Sequence, residues 1–433
     1  MSAALLRQVR SYDRSVRLLL LNQFTINLGF YMLMPYLAQH LSGDLVLSAW
    51  VIGLVLGVRN FSQQGMFLLG GTLADRFGYK PLIVAGCTLR TLGFAALGLV
   101  DSMPGLLAAS AATGFAGALF NPAVRAYLAR DAGERRVEAF ALFNVFYQAG
   151  ILAGPLIGLA LTQVDFSLTC LVSAGVFAVL TVVQLSSLPQ ARGTDSGPRG
   201  SVLSQWRTVV ANRPFLYFAA AMTGSYVLSF QVYLALPLAL RESAPPGTAT
   251  TAATSALFAV SGLATIFGQT RITAWCKERW SSRRSITAGL LLMGAAFLPM
   301  LIPAPATGIG RLVGGTLPVV LSGLLLAVAT MVVYPFEMDT IVTLAGNRLV
   351  ATHYGLYNTI CGIGITAGNL LTGAALDAAR RAGLPALPWL FLAALGLACA
   401  LAVRRSGYGT ELTAADADGA GARREQHGAP SPG

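Results

Sequence analysis

The sequence predicts an all-α integral membrane protein: twelve transmembrane helices in two six-helix pseudo-repeats, with both termini in the cytoplasm. Three observations predict it. First, of 433 residues 55% are hydrophobic and only 11% charged, where a soluble domain carries about 25% charged residues. With a mean hydropathy of +0.64, most of the surface must face something apolar. Second, apolar runs near the length that crosses a bilayer recur between charged or Pro/Gly breaks along the whole chain. Third, 24 of the 30 Lys and Arg fall in alternate loops, the asymmetry that marks the cytoplasmic side of a membrane protein.

The runs fall in order. The first, 16–40, is too long for a signal-peptide core and lacks a small-x-small cleavage pattern, so it is expected to stay as a span. Runs at 47–72, 81–100, 104–128, 137–162 and 167–188 complete a first bundle over 1–188. Residues 189–213 include Gly193, Ser196, Gly197, Pro198 and Gly200, the composition of a linker. Runs at 214–240, 251–275, 285–303, 312–336, 351–376 and 386–403 form a second bundle over 214–405. The small, polar tail 406–433 is expected to be disordered.

A net charge of +12 raises the question of nucleic acid. The basic residues, however, sit in short clusters between apolar runs, so the partner they imply is the bilayer. Only Arg241, Arg311, Arg380 and Arg381 fall in loops of the other side, and Arg59 and Arg90 fall within spans. Cys87, Cys170, Cys276, Cys361 and Cys399 show no metal-binding spacing and read as packing residues. There is no Ser/His/Asp set, no HExxH and no P-loop, so neither an enzyme nor an ATP-driven pump is expected, and no cofactor or metal.

The two halves repeat. Gly70–Lys80, between spans two and three, has a weaker copy in Gly268–Arg284, an offset of 198. Phe120-Asn121-Pro122 in span four matches Val333-Tyr334-Pro335 in span ten, an offset of 213. Gly150, Gly154 and Gly158 match Gly364, Gly368 and Thr372 at 214. Two parallel repeats are a transporter architecture.

The segment Gly70-Gly71-Thr72-Leu73-Ala74-Asp75-Arg76-Phe77-Gly78-Tyr79-Lys80 has a physical logic. Gly70, Gly71 and Ala74 let another helix approach closely. Asp75 stands at the membrane surface, where it can accept from a helix N-terminus or an arginine. Gly78 permits a turn, and Arg76 and Lys80 anchor the basic side. This segment resembles the loop motif of the major facilitator superfamily. The resemblance implies a conformational latch made by Gly71, Asp75, Arg76, Gly78 and Lys80, with Asp75 holding the cytoplasmic side closed. Its partner is left between Arg125 and the start of span eleven near Thr352 and His353.

Gly150-x-x-x-Gly154-Pro155-x-x-Gly158 resembles the span-five motif of the drug:proton antiporter branches. Gly and Pro together give a kinked helix with a bare face. Gln63-Gln64-Gly65, Ala74–Gly78, Lys80-Pro81, Arg90, Gly93-Phe94, Asp165-Phe166, Leu236-Pro237 and Leu387-Pro388-Trp389 look like the MdtH-type bacterial multidrug transporters. That resemblance implies proton-coupled export of small amphiphilic molecules. Two departures bear on it: Asn22 stands where the MdtH type has an aspartate, and Ser110 precedes Gly114 where many drug antiporters have an arginine.

Polar residues at helical spacing suggest a central cavity: Gln23, Asn27 and Tyr31 in span one; Arg59 and Gln63 in span two; Asn144 and Gln148 in span five; Tyr226 and Tyr233 in span seven; Tyr357 and Asn358 in span eleven. Arg90 reads as structural. Glu337 and Asp339, following Pro335 at the end of span ten, are the candidate proton-coupling carboxylates. The expected partners are a small-molecule substrate, protons and lipid, and the expected oligomeric state is a monomer. An uptake permease shares every one of these features. A non-transporting sensor of the same fold would have no need of the latch.

Overall fold

The structure is a computed structural model that describes residues 3–43, 45, 47–189, 201–243, 248–302 and 308–405. The linker residues 190–200 and the tail 406–433 lie outside them. Among the described residues every regular element is a helix.

A short N-terminal helix, α1 (Ala3–Arg10), precedes α2 (Arg14–Gly43). Next come α3 (Ala49–Gly65), α4 (Phe67–Phe77), α5 (Tyr79–Leu99), α6 (Met103–Ala132), α7 (Arg136–Thr162) and α8 (Phe166–Ser187). The linker contains a helix, α9 (Val202–Ala211). The second half is α10 (Arg213–Phe230), α11 (Ala235–Ser243), α12 (Thr248–Arg279), α13 (Ser282–Ala295), α14 (Gly308–Leu344), α15 (Val350–Ala382) and α16 (Leu387–Arg405).

Nine stretches among the described residues are long and apolar enough to cross a membrane. One, Met103–Thr162, runs through both α6 and α7. The expected spans at 47–72 and 251–275 are not among the nine. The first is broken at Met66 into α3 and α4, each shorter than a bilayer crossing. The second lies in α12, which is rich in Thr and carries Ser and Gln as well. Expected span seven is also interrupted, by turns over 231–234 between α10 and α11. There Gln231 donates to the Val227 carbonyl at 2.8 Å and to Asn369 at 3.3 Å, so side chains serve part of the broken ladder.

Two expected ends are corrected. Span ten does not end at Pro335: α14 continues through it to Leu344, which places Glu337 and Asp339 inside a helix rather than beyond one. Span four, expected over 104–128, runs on to Ala132 with Pro122 inside the helix. A proline removes one backbone donor and bends a helix, but surrounding helices can hold the turn in place.

The repeat seen in the sequence is a repeat of packing. Gly150, Gly154 and Gly158 of α7 lie on the backbone of α2: a Cβ at these positions would stand 2.6, 3.0 and 2.1 Å from the carbonyl oxygens of Phe24, Leu28 and Met32. Gly364 and Gly368 of α15 lie against α10 too, but on the side chains of Thr223 and Val227 rather than on its backbone. The span-five motif is therefore a packing face within the first half.

Large apolar side chains such as Leu92, Leu99, Phe267 and Leu370 are exposed, as a lipid-facing surface requires. Burial is uneven along the bundle. At the end carrying Arg130, Arg135 and Arg136, here called the basic end, α7 is fully buried from Ala139 to Val145 and α15 from Val350 to Gly355. Toward the other end the same helices expose Leu156, Leu159, Leu370 and Leu371. One apolar core joins both halves at the basic end, whereas a second, around Leu33, Phe94, Phe166 and Phe177, belongs to the first half alone.

Candidate functional site

The basic end is held shut by contacts between the halves. Helix α15 begins after Leu349, whose backbone is left-handed (φ 51°) and whose side chain offers no cap. Asp75 of α4 supplies that cap from across the interface. Its Oδ1 accepts from the Ala351 amide at 3.2 Å, and its Oδ2 accepts from the Thr352 amide and the Thr352 hydroxyl, each at 2.7 Å. These are the second and third amides of the helix, the ones an N-cap side chain normally serves. The carboxylate also meets the positive end of the helix dipole. Of the two partners the sequence leaves open for Asp75, the structure brings the start of α15.

The glycines explain how the helices come so close. A Cβ on Gly70 would sit 2.0 Å from the Ala118 carbonyl oxygen, and one on Gly71 would sit 2.1 Å from that of Ala351. Gly78 has φ 93° and turns α4 into α5. Lys80 donates to the Leu185 carbonyl at 2.8 Å, and Arg76 is exposed beside Phe77. The linker helix covers this region: Trp206 donates its indole N–H to the Thr72 hydroxyl at 2.8 Å. Asn212 donates to the Leu344 carbonyl at 2.9 Å.

A second set of contacts joins α7 to α12 and α14. Asn144 donates to Gln269 Oε1 at 2.7 Å, and Gln269 in turn donates to the Met331 carbonyl at 2.9 Å. Lys277 pairs with Glu138 at 2.6 Å, and Arg136 with Asp339 at 2.7 Å. Asn144, expected to line a cavity, is thus buried in a contact between the halves. Asp339, expected as a coupling candidate, is committed to Arg136.

Between the two sets lies a buried polar cluster. Arg125 of α6 reaches across to Asn358 of α15 and donates at 2.9 Å. Asn358 donates to the Tyr354 carbonyl at 2.7 Å. Glu337 of α14 is buried, accepts from the Tyr357 hydroxyl and has Tyr226 and the Arg125 guanidinium beside it. Tyr226 meets Tyr357 edge-on at 5.9 Å between centroids. The structure places Arg125 in this cluster rather than on Asp75.

The remaining candidates lie in the first half or at its face. Asn27 donates to the Gln23 carbonyl at 2.7 Å, and the Gln23 side-chain oxygen is buried without a partner. Tyr31 has Tyr147 and Arg59 near it. Gln148 is half-buried on α7, and Tyr233, half-exposed, stacks on Phe258 at 5.5 Å. Arg59 donates to Asn60 and Gln63 at 2.7 and 2.9 Å. Arg90 donates to the Thr113 carbonyl at 3.0 Å among four phenylalanine rings. Asn22, the amide in span one, accepts from Gln184 at 2.6 Å.

Sequence reasoning missed Gln269, Glu138, Lys277, Arg136, Thr72 and Trp206. The repeat offset was a signal for the first: Gly71 plus 198 is Gln269, a polar residue where the first copy has glycine. No spacing rule pairs Glu138 with Lys277, which lie 139 residues apart.

A two-part helical bundle, lipid-facing on its outside and holding buried charges between its parts, defines a multi-pass membrane transporter. The chain belongs to the Major Facilitator Superfamily, whose family model matches residues 19–369. It is 55% identical over 396 residues to an uncharacterised MFS-type transporter of Mycobacterium tuberculosis strain H37Rv, covering 92% of this chain and 94% of that one. It is 30% identical over 404 residues to the multidrug resistance protein MdtH of Photorhabdus laumondii, covering 93% and 96%. Among solved structures, the fucose:proton symporter FucP of E. coli superposes with a TM-score of 0.66 at 16% identity. FucP in its outward conformation superposes at 0.68, also at 16%; each comparison covers 90% of this chain and 98% of the other. Those likenesses establish the shared fold.

Proposed function

We propose that this transporter exports small amphiphilic organic molecules in exchange for protons, by alternating access, and that Glu337 carries the proton. The observation that carries the reading is the placement of Glu337. Among the described residues, Asp75 and Glu337 are the buried carboxylates. Asp75 is occupied in capping α15. Glu337 instead sits in the second half facing Arg125 of the first.

That placement gives a coupling rule. An ionised Glu337 favours Arg125 at the interface, where Arg125 also holds Asn358, so the basic end stays closed. A proton on Glu337 removes the charge that Arg125 faces, and closure weakens. With the basic end in the cytoplasm, a proton taken from outside opens the inner side and is lost there, after which substrate binds and is carried out. The relative named a multidrug resistance protein supports export, and the buried tyrosines suit an amphiphilic cargo.

The test is accumulation of fluorescent amphiphiles, cationic and anionic, in an efflux-deficient bacterium expressing the chain, with and without a protonophore. Lower accumulation that the protonophore abolishes, and that Glu337→Gln abolishes while the protein still inserts, is the expected result. Export that persists in Glu337→Gln at full proton dependence would sink the role of Glu337. Export indifferent to the protonophore would sink proton antiport itself.

A further inference from the structure

Two guanidiniums in the first half have no carboxylate. Arg90 is buried and Arg59 half-buried. Ion pairs such as Arg130–Asp131, Arg136–Asp339, Lys277–Glu138 and Arg380–Asp377 involve other cations, and among the described residues neither Arg59 nor Arg90 pairs with a carboxylate. The described carboxylates of α2 to α8 stand at helix ends or in loops. Charge within a bundle at membrane depth is costly and needs a counter-charge or water.

The two arginines form one site. Both lie over the Phe30 ring, at 4.5 and 5.1 Å from its centroid. Gln63 accepts from Arg59 at 2.9 Å. Gly117 lies against both Arg90 and Gln63: a Cβ there would stand 2.8 Å from the Arg90 Nη2 and 3.1 Å from the Gln63 amide carbon. The bare glycine is what lets the two groups share the space. Each arginine has a buried Nε–H with no acceptor. Phenyl rings attract a cation through their quadrupole but carry no net charge, so two positive charges remain unbalanced.

The two are not equivalent. Arg90 is fixed by Thr113 and a cage of rings from Phe30, Phe94, Phe120 and Phe177. Arg59 bonds only to Asn60 and Gln63, one and four residues along its own helix. It uses two of five donors in this way and lies near Tyr31. By contrast Arg125 has Glu337 nearby and Asn358 bonded.

We infer that the cargo is an organic anion, its acid group held by Arg59, with Arg90 behind as a second, fixed positive charge and the apolar body lying on the aromatic residues of α2 and α7. This names the substrate class of the transporter read above, and it rests on that reading. Arg59 suits the task because its planar fork can take a carboxylate or sulfonate through two parallel bonds. An acid that binds here brings the missing counter-charge into the first half, so its binding stabilises the folded bundle.

The test uses purified full-length protein in detergent and its thermal unfolding midpoint. The probes share one ring system: 1-naphthoate and naphthalene-1-sulfonate as anions, 1-naphthamide as the neutral form and 1-naphthylmethylammonium as the cation. The anions are expected to raise the midpoint while the amide and ammonium do not. In Arg59→Gln the apparent dissociation constant for the anions is expected to rise about tenfold or more, a modest loss for a charged contact. Arg59→Lys, which keeps the charge but loses the planar fork, is expected to bind the anions more weakly than the wild type and more tightly than Arg59→Gln. Arg59 is chosen because Arg90, packed in its cage, is the variant more exposed to misfolding. Stabilisation by the amide or ammonium equal to that by the acids overturns the inference, as does no stabilisation by either acid or unchanged anion binding in Arg59→Gln. Anion binding is read on purified protein with no proton gradient and proton coupling by the protonophore in cells, so a failure of proton coupling and a failure of anion recognition read out separately.

Discussion

The basic end is closed twice, and the two closures are related by the repeat. In one, α4 meets the start of α15; in the other, α12 meets the start of α7. The offset of 198 carries Gly71 to Gln269 and Asp75 to Thr273, and the offset of 214 carries Glu138 to Thr352 and Asn144 to Asn358. Corresponding helices meet in both, but through different residue pairs and different chemistry. The first closure is a buried carboxylate on two helix amides and a hydroxyl, with glycine at the crossing. The second moves the carboxylate to the other helix, as Glu138, and answers it with Lys277; a glutamine fills the place of the glycine and bonds Asn144. One repeat therefore makes a tight, dry, charge-assisted contact. Its copy makes a buried amide pair and, beside it, an ion pair that water and salt can reach.

If that contrast is right, breaking the first closure costs most. Asp75→Asn keeps the shape but turns one acceptor oxygen into a donor facing the amides of Ala351 or Thr352. Hydrogen bonds to a charged group contribute about 1.5–3 kcal/mol each, and an unserved buried donor costs about 1–3 kcal/mol more. A loss of about 3 kcal/mol or more from the closed state is expected, read as faster amide hydrogen exchange over the first turn of α15 and as lost transport with normal insertion. Gly71→Ala should act in the same direction through sterics, since its Cβ would stand 2.1 Å from a backbone oxygen and the helices would have to part. Unchanged exchange in both variants would remove the latch.

How much of this was legible in the sequence follows from what each contact needs. Composition, the run lengths and the basic loops gave the fold class, because lipid allows few alternatives. The Gly70–Lys80 segment showed a close approach and a surface carboxylate, because small residues and an acid at that spacing have few other uses. It did not show whether Asp75 would take an arginine or a helix end, since both offer donors at the same range. The pairs Asn144–Gln269 and Glu138–Lys277 were hidden: each member alone looks like an ordinary polar residue of its helix, and only the fold brings them together. Asn144 was consequently read as a cavity residue. Glu337 was found for its chemistry but misplaced locally, because Pro335 suggested a helix end that packing overrides.

The second closure should break more gently. Gln269→Leu removes the partner of Asn144 and the bond to the Met331 carbonyl while keeping comparable volume. It leaves buried groups unserved, at about 1–3 kcal/mol. A smaller rise in exchange than for Asp75→Asn is expected, centred on the first turns of α7 rather than α15. Equal effects at both helices would mean that the two closures open as one unit and that their chemical difference is of no consequence.

The smallest effect belongs to Lys277. Its side chain is 45% exposed, and that of Glu138 is 22% exposed. Exposed pairs of this kind contribute about 0–1 kcal/mol, because each charge is well solvated apart and held side chains lose freedom. Lys277→Met should therefore shift the closed state by under about 1 kcal/mol. The shift should also shrink with salt, since ions screen an exposed pair over about 10 Å at 0.1 M, whereas the effect of Asp75→Asn should be nearly independent of salt. Measuring exchange at the start of α7 for Lys277→Met at low and high ionic strength checks both points. A large, salt-independent effect would place this pair on the same footing as Asp75, and the copy would then be a second latch of equal strength made from different residues.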